Sequence, residues 1–228
     1  MSHALERWKF VGGRLCLDFI NTVGGRVSRP DVAKPSPDYQ DFVLRDRLKS
    51  YEELVQWSRE AGSIAPADSA ELQRLARRKP LEALRAFERA MEAREALYRM
   101  FKTVVEGWDP PADDLDRLQS ELAVARDRRE LIKAKDRFVW RWKTDTPSLD
   151  RPLWPIVESS EALLTAPILG KVRQCGGEEC GWFFVDESRG GRRQWCEMRD
   201  CGNLAKVRRH RERNRQLTPA ADIPPSPP

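Results

Sequence analysis

Four of the five cysteines stand in one stretch as two matched pairs. Cys175 and Cys180 are separated by four residues, as are Cys196 and Cys201, and fifteen residues lie between the pairs. No other feature constrains the fold so strongly, because two short cysteine loops can offer four thiolates to one metal ion at tetrahedral angles, about 2.3 Å from its centre. Gly176, Gly177, Gly181 and Gly202 flank the loops and suit the tight turns they need. Two disulfides, a redox pair and an iron–sulfur cluster are the competing uses of such a set. Redox pairs usually have a two-residue spacer. Residues 1–10 carry no apolar signal segment, so the chain is expected in the cytoplasm, where disulfides rarely persist. A cluster also accepts four thiolates; structural Zn²⁺ is the expected occupant.

The residues around these cysteines predict a small module. Residues 182–185 read as an apolar strand, 193–195 as its return strand and 188–191 as the turn, giving a β-hairpin. Residues 204–213 contain no Gly or Pro and predict a helix. Loop, hairpin, loop, helix is a treble-clef-like order. Leu204 and Val207 share a helical face and are expected to cover the metal loops, while Lys206, Arg209 and Arg213 gather on the opposite side. Residues 171–215 hold twelve Lys or Arg against seven Asp or Glu, a surplus equal to the net charge of +5 for the whole chain. A local cationic surface of this kind fits nucleic-acid contact.

The string from Cys175 through Trp182, Phe184, Asp186 and Ser188 to residues 193–203 and Lys206 resembles the CGNR zinc-finger family. Asp18, Asn21 and Thr22 in the apolar segment 8–23, with Arg94 and Tyr98 farther on, resemble the ABATE domain that precedes that finger in bacterial proteins described as stress-induced transcription regulators. The resemblance implies zinc, DNA and an N-terminal sensing or dimerising domain. Where the name-giving motif ends in arginine this chain has Leu204, so an equivalent phosphate contact would fall to Lys206 or Arg208. Arg192 and Arg193 on the hairpin would add contacts.

The remaining sequence predicts a mainly α-helical fold with small β-hairpins. Gly12-Gly13 separates two apolar segments, as in a hairpin or a strand followed by a buried helix, and Cys16 reads as core. Residues 24–41 read as a long surface loop, and Ser50 with Glu53 forms a capping box. Helices are expected after Pro66, Pro80, Pro111 and Pro152, and residues 130–143 predict a second hairpin with Phe138, Trp140 and Trp142 on one, mostly buried, face. The longest helix carries Leu84, Phe87, Met91, Arg94, Tyr98, Phe101 and Val105 as its inward stripe. A buried guanidinium needs anionic or polar partners, and Asp18 with Asn21 are the expected ones. The three side chains either form a buried ion pair or line a pocket for a small-molecule effector.

The division expected is a helical domain over 1–165, the zinc module over 166–215 and a proline-rich, disordered tail over 216–228. No apolar run reaches membrane-spanning length, and no catalytic constellation is recognisable with only His3 and His210 as histidines. The leading expectation is a cytoplasmic DNA-binding regulator, possible as a homodimer; the alternative is a zinc-stabilised protein-contact or ligand-binding module without DNA binding.

Overall fold

A computed structural model describes residues 8–27, 42–143 and 147–217. Residues 216–217 close the last helix, and the sequence-based expectations for the rest of the tail and for residues 28–41 of the 24–41 segment lie outside the described residues. The spine is helix α4 (Pro80–Glu106), with Pro80 in its first turn and Gly107 closing it at φ 76°. Its inward face differs from the expected stripe: Ala83, Ala86, Ala90, Ala93 and Leu97 are buried beside Tyr98 and Phe101, whereas Leu84 is exposed. Small side chains let neighbouring elements approach the helix closely; Phe87, Met91 and Val105 of the expected stripe pack partly buried along one edge of this wider face.

Before α4 come α1 (Leu15–Ile20), α2 (Tyr51–Glu60) and α3 (Pro66–Arg78); after it come α5 (Ala112–Asp127) and α6 (Trp154–Leu164). Ser50 Oγ caps α2 by accepting from Glu53 N at 3.3 Å, and Glu53 returns by accepting from Lys49 N at 2.7 Å. Ala65 and Pro111 occupy the N-cap positions of α3 and α5. α1 packs between α4 and α6, with Cys16, Leu17, Phe19 and Ile20 fully covered.

The described strands form three separate antiparallel ribbons. β1 (Val23–Val27) pairs with β2 (Phe42–Asp46), so Gly24 and its neighbours belong to a strand where a loop was expected. β3 (Arg129–Ala134) pairs with β4 (Arg137–Trp142) as the alternation predicts. Trp142 packs on Trp154, but Phe138 and Trp140 are 66% and 59% exposed, contrary to their expected burial. β5 (Val172–Gln174) pairs with β6 (Phe183–Val185). The partner of residues 183–185 is therefore the strand before the first cysteine loop; the expected return strand 193–195 is irregular.

Val172, Phe183 and Val185 lie in the same buried cluster as Leu17, Phe19, Leu97 and Phe101. The cysteine-bearing ribbon thus shares the main core instead of resting on it. No helix among the described residues is long and apolar enough to cross a membrane.

Candidate metal centre and nucleic-acid interface

The turn joining β5 to β6 carries Cys175 and Cys180, and the chain then returns through Cys196 to a short π-helical turn (Met198–Gly202) that presents Cys201. The four Sγ atoms lie within 4.8 Å of one another, with Cys180–Cys196 and Cys196–Cys201 each at 3.6 Å. Sulfurs 2.3 Å from a tetrahedral centre sit about 3.8 Å apart, whereas a disulfide needs about 2.05 Å. The spacing is that of four ligands around one ion.

Electrostatics support the same fit. Hydrogen bonds from the Cys180 and Cys196 thiols pull Cys175 toward the thiolate, and that sharing pushes Cys180 and Cys196 up. Burial, followed by the charge at Cys175, raises Cys201. Four sulfurs this close resist carrying four negative charges unless a cation stands between them. The N–H of Cys196 also donates to Cys175 Sγ at 3.2 Å, a contact that favours the thiolate.

The loop between the pairs is braced internally. Asp186 accepts from Ser188 Oγ at 2.6 Å and from Arg193 N at 3.0 Å. Arg193 donates to the carbonyls of Trp195, at 3.0 Å, Val11, at 3.2 Å, and Cys196, and its guanidinium lies 4.2 Å over the Phe184 ring. Arg193, expected at a nucleic-acid surface, is spent on holding the second cysteine loop. Arg192 beside it is exposed.

Helix α7 (Asn203–Leu217) leaves the second loop and stands away from the body. Over residues 203–215 only Ala205 is even half-buried. Leu204 and Val207, expected to cover the metal loops, are 60% and 44% exposed. The loops are covered instead by Trp182, Phe184 and Trp195. Lys206, Arg209 and Arg213 line one shallow depression along the helix. Arg208 pairs with Glu178 across the first cysteine loop.

Residues 13–167 match the family ABATE, described as "Putative stress-induced transcription regulator", and residues 171–214 match the CGNR zinc finger. The chain belongs to the ABATE family. No curated protein matches it. With a CGNR finger and four clustered cysteines, the cofactor is Zn²⁺.

In this ABATE protein the N-terminal domain and the finger are joined by specific polar contacts. Asn21 Nδ2 donates to the Phe183 carbonyl at 2.8 Å, and Asn21 Oδ1 accepts from Phe183 N at 2.9 Å. Trp182 Nε1 donates to the Val23 carbonyl at 2.6 Å. A Cβ on Gly25 would stand 2.8 Å from the Glu179 carbonyl oxygen, and one on Gly181 would stand 2.7 Å from Arg26 Cβ. Both glycines have positive φ, and their bareness lets the β1–β2 ribbon lie directly on the first cysteine loop. Lys9 binds Glu197 at 2.6 Å and also Asp200, which raises its pKa to about 12 through those two hydrogen bonds.

Asp18, Asn21 and Arg94 do not converge on one site. Arg94 is buried as expected, but its partners are Asp46, at 2.9 and 2.5 Å, Thr22 Oγ1 at 3.1 Å and Glu95 at 3.2 Å. Arg26 joins them with a bidentate pair to Glu95 at 2.8 and 2.9 Å and lies 3.8 Å over the Tyr98 ring. This network clamps the β1–β2 ribbon to α4. Asp18 instead accepts from Gly12 N at 2.7 Å, and burial without a cation pushes its pKa up to about 6. Sequence spacing found the buried arginine, while its true partner, Asp46, lies on β2, a strand that no sequence pattern marks.

Proposed function

We propose that this ABATE protein is a transcription regulator whose zinc-held helix α7 contacts DNA. One observation carries the reading: α7 buries almost nothing, yet over residues 203–215 it holds six Lys or Arg against one Glu. A helix of this length is marginal alone in water, and crowded like charges weaken it further. A polyanion running along it supplies the missing counter-charge.

The division of labour follows from the geometry. Zn²⁺, when bound by Cys175, Cys180, Cys196 and Cys201, fixes the two loops from which α7 departs and supplies no reaction chemistry. Lys206, Arg209 and Arg213 share one helical depression and neutralise phosphates, with Arg192 as an outlying contact. Arg208 is tied to Glu178 and contributes less, and Leu204 stands exposed where the family motif has arginine. Phosphate contacts give affinity and register but no sequence choice. One helix end reads few base pairs, so two copies on neighbouring half-sites complete the reading, with the ABATE domain providing the pairing surface and the response to an effector.

The test is binding of a labelled mixed-sequence duplex by the zinc-loaded chain and its K206A/R209A/R213A variant. These side chains are exposed, so the variant keeps its fold. Affinity lower by at least tenfold supports the reading; unchanged affinity removes α7 from the interface.

A further inference from the structure

Strand β2 alternates its charges between two jobs. Asp46 faces α4 and holds Arg94, while Arg45 and Arg47, on either side of it in sequence, both line a groove of about 520 Å³. The first two turns of α7 also line it, with Leu204, Ala205 and Arg209. Gly176, Gly177, Trp195 and three of the metal-ligand cysteines, Cys180, Cys196 and Cys201, line it as well. Arg209 and Glu212 line both this groove and the α7 depression, so the two features are continuous from the finger onto the ABATE domain.

Two cations of this groove, Arg45 and Arg47, have no carboxylate partner among the described residues. Arg45 is exposed and forms no ion pair among the described residues. Arg47 lies 5.1 Å over the Trp182 ring, and its Nε is buried with no hydrogen-bond partner among the described residues. Four carboxylates also reach the groove, but Glu178 is paired with Arg208 and Asp200 with Lys9. Glu179 and Glu212 remain.

We propose that this groove seats a sugar–phosphate segment of the same duplex that α7 contacts, with Arg45 as the phosphate anchor on the ABATE side. The inference rests on the DNA reading above and extends it: the DNA-contacting unit is finger plus ribbon. It also gives a purpose to the contacts that lock the ribbon onto the first cysteine loop, since they hold Arg45 at a fixed offset from α7. Arg47 is left to the stack on Trp182 and to the charge of the nearby sulfurs.

Each phosphate neutralised contributes about −0.9 to the slope of log K against log salt. The experiment measures that slope for the full zinc-loaded chain and for R45A, R45K and R74A, the last removing an exposed arginine on α3 as a control for net charge. The expected result is a slope shallower by about one for R45A and wild-type slopes for R45K and R74A. An R45A slope equal to wild type, with K206A/R209A/R213A still flattening it, overturns the groove and leaves the α7 reading intact. If the wild-type chain shows no salt-dependent DNA binding, both fall.

Discussion

Asn21 holds the backbone of Phe183 from both sides, its carboxamide standing in for a neighbouring strand across 162 residues of sequence. Among the described residues β6 has a hydrogen-bonded partner strand only on its β5 edge, so at Phe183 this side chain completes the ribbon's other edge. The finger is thereby joined to the ABATE domain through a buried polar contact as well as through shared core.

Asn21→Ala would strand the buried N–H and C=O of Phe183. Each unsatisfied group costs about 1–3 kcal/mol, so a loss of about 3 kcal/mol in urea unfolding is expected. A loss under about 0.5 kcal/mol, the level of a surface change, would show that water replaces the contact.

The Arg94–Asp46 pair gives a second test. Arg94→Ala leaves Asp46 and Thr22 without their buried donor and is expected to cost about 3 kcal/mol; Arg94→Lys cannot reproduce the two-pronged contact and recovers only part of it. Equal stability of Lys and Arg at this position would mean that charge alone matters there.

The cysteine spacing, the long α4 and the β3–β4 hairpin were legible because each is a local pattern. The partner of Arg94 was not, since Asp46 stands on β2, whose pairing strand β1 is disguised as loop by Gly24 and Gly25, and no periodicity marks a five-residue strand made of Val-Gly-Gly-Arg-Val. β5 and β6 are three residues each, too short for alternation to show which strand pairs with residues 183–185. Helical phase placed Leu204 and Val207 on one side of α7 correctly, but phase cannot say whether a body lies there to cover them. The alanine face of α4 escaped because close packing, not side-chain size, selects it.

Asp18 predicts a pH dependence of definite sign. Its pKa is raised from 3.8 to about 6 by burial, so the folded chain holds this proton more tightly than the unfolded one. The group's stabilising contribution is fully present below about pH 4 and is lost as pH rises through about 6. Carboxyl carbon NMR should give a midpoint near 6 for Asp18; a midpoint near 4 would mean that water reaches it.

Metal removal should act on the whole chain. Structural zinc is worth on the order of 10 kcal/mol in apparent binding free energy, and the ribbon it stabilises places Val172, Phe183 and Val185 in the main core. The sequence alone suggested a zinc module over 166–215 divided from the 1–165 domain. The shared core predicts that chelation, or Cys196→Ser, lowers the melting temperature of one common transition. An unchanged high-temperature transition with a separate early one would restore the separable finger.

The most direct measurement is the salt dependence of wild-type binding to a mixed-sequence duplex. Contacts from Lys206, Arg209, Arg213 and Arg45 predict a slope of log K against log salt of about −3.6, lost when zinc is chelated. Binding with a slope near zero, or none for the zinc-loaded chain, would contradict a DNA-contacting role for α7 and its neighbouring ribbon.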